Sequence, residues 1–354
     1  MKQKILFITR NYPPKIGGLE AYSYNLIKEF EKYNTVFKIV STQSNLHLIW
    51  FMPFSYFAAL VTSWRHSVQN IHLCDGLLAP LGVLLKATTR AKVTISIHGL
   101  DITYGNPLYQ GLIPRCVSRL DKIICVSRFT RDECIRRGIP HRKCRVIPNG
   151  INPGELYLAS VFEILRSRLE EIVGISLGDK VVLITIGRLV KRKGVAWFIE
   201  HVMPRLDPRY CYIVGGHGPE YGNIQSIIRQ ADVQKRVYML GRISEEIRRL
   251  LYNAADIFVM PNITVDNDIE GFGISLLEAG SCGLPVIASK LQGIKDAVVE
   301  GRTGVLVEEG DVQGFISAIQ KMDLKREDVR SYVNERFNWP EIYKHYRNAI
   351  LRST

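Results

Sequence analysis

One rhythm constrains this chain more than any other feature. Short apolar runs rich in β-branched residues recur along it, each followed by a longer segment with apolar residues at helical spacing. Continuous apolar runs suit strands buried on both faces, and their alternation with helices is the pattern of a parallel sheet covered by helices. Six strands are expected in the first half, at 5–9, 36–40, 71–73, 93–97, 123–126 and 145–147. Six more are expected at 181–186, 210–214, 237–240, 257–260, 286–288 and 305–307. The fold class is therefore α/β with two doubly wound units, and 354 residues exceed what one core usually serves. Turn residues in PNGINPGELY (148–157), then a polar helix-like stretch to 178, mark a hinge. The expected division is 1–160, completed by an amphipathic C-terminal helix over 338–354, and 161–337.

Charge is distributed unevenly. Residues 1–153 hold 21 Lys and Arg against 8 Asp and Glu, whereas residues 154–354 hold 26 against 26, so the first half carries the whole net charge of +13. A one-sided basic surface implies an anionic partner. Seven cysteines show no paired short spacing of the zinc or disulfide kind, which fits a reducing cytoplasm. The N-terminus has no signal-peptide pattern, so the protein is expected to stay in the cytoplasm. Residues 48–64, LIWFMPFSYFAALVTSW, lack formal charge, but the stretch is short for a span and Pro53 interrupts it. It reads as a covering helix or as one lying in a membrane interface.

Several turns at strand ends look chemical. In PPKIGGLE, Gly17 and Gly18 open a helix where backbone N–H groups could meet a phosphate, although a loop that turns on glycine reads the same. The strand VVLITIGR runs into LVKRKG, which sets Arg188 and Lys193 at the carboxyl edge of the second sheet, where doubly wound folds bind ligands. Two cations there suit a diphosphate, while Lys191 and Arg192 extend what could equally be a solvated basic loop. A further glycine turn, GGHGPE (215–220), contains Gly216. The segment DNDIEGFGISLLEAGSCGLPVIAS (266–289) is the most informative. Gly271, Phe272 and Gly273 precede a helix beginning near Ile274, Glu270 stands before it and Glu278 lies a turn inside. Free N–H groups at Gly273, Ile274 and Ser275 would make this helix end an anion site. The two glutamates would be roughly 12 Å apart if all the intervening residues were helical. In ISIHGLD, His98 follows a first-unit strand, and Asp101 is a weaker candidate.

Together these pieces resemble the retaining glycosyltransferases of family four over nearly the whole chain. PPKIGG, IHGLD, VSRFT, VIPNG, GRLVKRKG, GHGPE and EGFGISLLEAGSCGLPVIAS occur in that family's order and spacing. The resemblance implies a GT-B fold: two Rossmann-like domains with parallel sheets facing across a cleft, and a C-terminal helix returning to the first. It further implies a nucleotide diphosphate sugar as donor, front-face attack with retention, and no cofactor or metal. Carried over, His98, Arg188, Lys193 and Glu270 form the catalytic set. Gly17, Gly18, Gly216, Gly271, Phe272, Gly273, Ile274, Ser275 and Glu278 would bind the donor, with Glu278 on the ribose. The loop PNITVDNDIEG is longer and more acidic than the family's common form and is similar to that of GDP-mannose-dependent phosphatidylinositol mannosyltransferases. Mannose transfer to a glycan or lipid-linked acceptor is therefore favoured. Basic charge beside an uncharged aromatic stretch suggests peripheral docking at the inner face of an anionic membrane.

Three other classes compete. An epimerase or a phosphorylase on the same fold would carry, respectively, other acid and base carboxylates or a cofactor lysine, and neither signature is evident. A nucleic-acid-binding protein is suggested by the charge alone. The basic residues, however, are spread over several helices without a reader motif or interleaved aromatics.

Overall fold

The computed structural model describes residues 2–14, 17–41 and 48–351. It divides into two compact units, one formed by residues 1–150 with 339–354 and the other by 151–338. Each is a six-stranded parallel sheet with helices packed on it, the topology of two Rossmann-like domains.

In the first unit the strands are β1 (Lys4–Thr9), β2 (Thr35–Val40), β3 (Asn70–Leu73), β4 (Lys92–Ile97), β5 (Lys122–Cys125) and β6 (Cys144–Val146). Their order across the sheet is β2-β1-β3-β4-β5-β6. All neighbours are parallel. The direction of winding reverses between β1 and β3. The Leu48–His66, Ala79–Thr88 and Pro107–Arg119 helices cover one face, where Leu6, Ile8, Ile71, Val93 and Ile95 are buried. On the other face the Gly18–Tyr33 and Trp339–Ile350 helices close over Ile5, Phe7 and Ile124. The last helix is tied down by its aromatic side: Tyr346 and Tyr22 share a hydroxyl hydrogen bond of 2.8 Å, and Asn34 donates to the Tyr343 hydroxyl at 2.9 Å. Trp339 packs so close to Gly150 that a Cβ there would stand 2.6 Å from the indole ring.

The second unit has β7 (Val181–Ile186), β8 (Tyr210–Gly215), β9 (Val237–Gly241), β10 (Ile257–Met260), β11 (Val286–Ser289) and β12 (Gly304–Val307), ordered β12-β11-β10-β7-β8-β9. Here the reversal lies between β7 and β10. The second unit begins at Ile151 rather than at 161. Residues 156–158 belong to its core: Leu156 is buried, Asn253 donates to its carbonyl at 2.8 Å, and Asn253 Oδ1 accepts from Leu158 N–H.

The Leu48–His66 helix covers the sheet with one side only. Phe51, Ala59 and Leu60 are buried, while Trp50, Phe54, Phe57, Val61 and Trp64 are 60–76% exposed. Among the described residues no helix is long and apolar enough to cross a membrane.

Candidate active site

In doubly wound sheets ligands gather outside the carboxyl ends of the strands, at the point where the winding reverses. In the second unit that point is flanked by the ends of β7 and β10. β7 runs out through Gly187 into Arg188, which is exposed and has no side-chain partner among the described residues. The chain then turns through a short 3-10 helix, Lys191–Lys193. Gly194 closes that turn with a left-handed backbone, and a Cβ there would stand 1.8 Å from the Pro261 carbonyl oxygen. This close approach brings the turn against the segment after β10.

The turn and that segment meet at Glu270. Its Oε2 receives Lys193 Nζ at 2.6 Å, Arg192 Nη1 at 2.5 Å and Asn262 Nδ2 at 3.3 Å. Arg192 also reaches Asp268 through Nε at 2.8 Å, so one guanidinium holds two carboxylates at the C-terminal end of the acidic loop. Gln292 Oε1 accepts from the Glu270 N–H at 2.6 Å and steadies the backbone. Burial works against the charged carboxylate, but Lys193 and then Arg192 outweigh it, and Glu270 titrates below the usual glutamate range. The reading of Arg192 as part of a solvated basic loop is thus corrected.

Immediately after Glu270 the Ile274–Ser281 helix begins, with Gly273 as a left-handed N-cap that offers no side chain. Among the described residues the N–H groups of Ile274 and Ser275 have no backbone acceptor, as the open first turn of a helix requires. Helix starts only at Ile274, so the 12 Å estimate for Glu270 to Glu278 does not apply. Glu278 itself is held firmly: Arg248 Nη1 donates to Oε1 at 2.9 Å and the Tyr252 hydroxyl to Oε2 at 2.7 Å. Both partners come from the Glu245–Ala254 helix, and Glu245 grips the far side of Arg248 at 2.7 Å. Sequence spacing gave no sign of this clamp. Gly216 has a packing reason of its own, since a Cβ there would stand 1.8 Å from the Gly187 carbonyl oxygen. Phe272 is buried.

In the first unit the reversal point lies at the ends of β1 and β3. Arg10 pairs with Asp75 at 3.1 Å, and the other Asp75 oxygen is buried without a partner among the described residues. His98, just beyond β4, binds the Cys74 carbonyl through Nε2 at 2.9 Å. A carbonyl can only accept, so Nε2 carries a proton and Nδ1 is the nitrogen left for a ligand. The Tyr22 ring meets the imidazole edge to face at 4.5 Å. Asp101 is a structural anchor instead, accepting from the N–H groups of His98, Gly99 and Gly76. Gly17 and Gly18 do stand at the start of a helix, though the φ of 169° at Gly17 is ordinary extended backbone. The Glu20 carboxylate faces the same helix end, 2.4 Å from where a Gly17 Cβ would be. Among the described residues no group of three His, Cys, Asp or Glu side chains is gathered as a metal site would need.

Two Rossmann-like units with polar clusters at both reversal points define the class: a GT-B fold. The chain matches the family model described as Glycosyltransferase Family 4 over residues 31–155 and that of Glycosyl transferases group 1 over residues 180–322. It belongs to the family-four glycosyltransferases. The GDP-mannose-dependent alpha-(1-6)-phosphatidylinositol monomannoside mannosyltransferase of Mycolicibacterium smegmatis is 27% identical over 346 residues, covering 89% of this chain and 88% of that one. A phosphatidylinositol N-acetylglucosaminyltransferase chain from Arabidopsis thaliana is 27% identical over 382 residues, covering 97% and 80%. Among solved structures, the Anabaena protein HepE in complex with UDP superposes with a TM-score of 0.80 at 19% identity, covering 98% of this chain and 99% of that one.

Proposed function

We propose that the enzyme transfers a hexosyl group, mannose in preference, from a nucleotide diphosphate sugar to a lipid-linked or glycan acceptor. The reaction retains anomeric configuration and needs no metal. The observation that carries this reading is the Glu270 cluster beside the open N-terminus of the Ile274–Ser281 helix. Arg188 and Lys193 neutralise the departing diphosphate, and the free N–H groups of Ile274 and Ser275 receive its oxygens. Stabilising charge as it develops on the leaving group is where such a site gains most of its rate. Lys193 then moves from Glu270 to the phosphate, and the carboxylate takes up sugar hydroxyls. Glu278 accepts from the ribose hydroxyls with its remaining lone pairs. His98 offers Nδ1 to a hydroxyl of the transferred sugar, and no side chain is required as a covalent nucleophile.

Mannose is favoured by the likeness to the mycobacterial mannosyltransferase and by the acidic loop. The Arabidopsis relative makes an N-acetylglucosaminyl donor the competing choice. Peripheral docking at a membrane is supported by the exposed Trp50–Trp64 ridge and by the charge of the first unit. A panel of UDP-, GDP- and ADP-sugars assayed in EDTA, with the product anomer read by NMR, tests the reaction. GDP-mannose is expected to give the highest kcat/KM, with retained product and unchanged turnover. An inverted product, or activity abolished by chelation, overturns the mechanism. Preference for another donor overturns only the choice of sugar.

A further inference from the structure

Three neighbouring strands of the first unit begin with cations on the same sheet edge: Lys92 opens β4, Lys122 opens β5 and Arg145 is the second residue of β6. Lys122 lies opposite Thr94 and Arg145 opposite Ile124, so the three charges form a diagonal that steps two residues further along at each strand. Arg90 and the turn residues Arg142 and Lys143 complete the walls of an open hollow of about 820 Å³. Among the described residues its only acidic lining is Asp121, already engaged by Lys86 at 2.6 Å and by the Val93 N–H at 2.8 Å. Some of the cations have structural work. Lys143 Nζ donates to the Ser118 and Leu120 carbonyls at the end of the Pro107–Arg119 helix. Among the described residues the Arg145 side chain reaches only the carbonyl of its neighbour Cys144. The side chains of Arg90, Lys122 and Arg142 have neither an ion pair nor a hydrogen bond among the described residues, and folding gives no reason for their charge. The crowding is felt: burial and then Lys122 lower the Lys92 pKa, and burial followed by Lys86 lowers that of Lys143. An anion between them would relieve that repulsion.

We propose that this hollow is a second anion site, built for a phosphoryl group on a small ligand or lipid headgroup and distinct from the reaction centre. At β4 it lies by Lys92 at the amino end, whereas His98 follows the carboxyl end, and six strand residues span roughly 20 Å. The ligand is therefore an effector or an anchor and not a reactant. Arg90, Arg142 and Arg145 supply planar guanidinium groups suited to phosphate oxygens. Among the described residues no aromatic side chain lines the hollow, so nucleic-acid bases find nothing to stack on.

Inorganic pyrophosphate titrated into the full chain by calorimetry tests the site. The double variant Arg188→Ala/Lys193→Ala removes the cations assigned to the donor diphosphate and should retain one pyrophosphate site. Adding Lys122→Glu and Arg142→Glu should weaken that remaining site at least ten-fold, with the milder Lys122→Gln and Arg142→Gln weakening it less. Circular dichroism checks that each variant is folded. Sedimentation with phosphatidylglycerol vesicles against phosphatidylcholine vesicles separates the sources. If the charge reversal abolishes anionic-vesicle binding the ligand is a headgroup, and if it abolishes only pyrophosphate binding the ligand is a soluble phosphate. The proposal is overturned if reversal changes neither, or if a single-stranded RNA oligonucleotide binds the hollow more tightly than pyrophosphate. Failure here leaves the glycosyltransferase reading intact, because that reading stands on the second unit.

Discussion

Glu278 is aimed by two side chains that take no part in the reaction, Arg248 and Tyr252, each engaging one of its oxygens. With the guanidinium removed the carboxylate is held by Tyr252 alone, and on the proposed role of Glu278 the ribose hydroxyls lose a firmly placed acceptor. Arg248→Ala is expected to raise the Kd for the nucleotide about ten-fold while kcat at saturating donor stays within about three-fold, since the ribose is unchanged in the reaction. Equal losses in kcat and kcat/KM would instead make Glu278 part of the transition-state machinery. His72 gives a pH test of the first unit. Its ring is buried between Thr94 Oγ1 at 2.8 Å and Ser96 Oγ at 3.0 Å. Burial, then the neighbouring His98, push its pKa down to about 3. Below the unfolded value of about 6.5 the unfolded chain therefore binds a proton the native chain refuses, and stability falls as pH drops from 6.5 towards 3. Between pH 6.5 and 5 this one group costs about 2 kcal/mol, measurable as a lower urea midpoint. His72→Gln should flatten that dependence, and an unchanged slope would show that another group is responsible. At this scale the sequence revealed residue types but not partners. The Arg248–Glu278 and Arg192–Glu270 pairs are 30 and 78 residues apart, and only the folded sheet brings them together.

All twelve strands were visible in the sequence to within a residue or two at their ends. Strands such as β8 and β10 are buried throughout, so each reads as one unbroken apolar run. Their lateral order was not visible, because pairing between parallel strands leaves no local mark. The reversal points that locate the site therefore emerged only from the topology. Helix 48–66 shows the opposite limit. It is apolar on both sides, so periodicity could not tell its buried face from its exposed one. Glycine-rich turns carry a similar ambiguity, and GGHGPE resolves towards packing. Gly216 has a φ of 149° and lies against the Gly187 backbone, so Gly216→Ala combines a disfavoured conformation with a clash that no side chain can relieve. A loss of at least about 3 kcal/mol in urea unfolding is expected, with β7 and β8 forced apart. A variant of normal stability would mean the turn readily rearranges and that Gly216 serves a ligand instead.

Division of charge between the units is sharper than the division by halves. The first unit, counted with its returning helix, holds 24 Lys and Arg against 9 Asp and Glu, and the second holds 23 against 25. A protein that needed charge only for solubility would have no reason to confine it to one unit. The same unit exposes Trp50, Phe54, Phe57, Val61 and Trp64 at steps of three and four residues, a single stripe along one helix. Stripes of large aromatic side chains facing solvent are unusual on monomers and mark interaction surfaces. Tryptophan in particular settles at the level of lipid headgroups. Each Lys or Arg near an anionic leaflet adds about 1 kcal/mol of attraction, which salt screens, whereas insertion of the stripe is largely indifferent to salt. The two contributions therefore separate by experiment. In sedimentation assays the protein should pellet with phosphatidylglycerol vesicles at low salt, less at high salt, and hardly at all with phosphatidylcholine. Replacing Trp50, Phe54 and Trp64 by serine should abolish the fraction that survives high salt while leaving the fold intact, since these side chains are mostly in water already. If the wild-type protein stays in the supernatant with anionic vesicles at low salt, membrane docking is wrong. The stripe would then belong to a protein partner, and a soluble acceptor would become the better assignment.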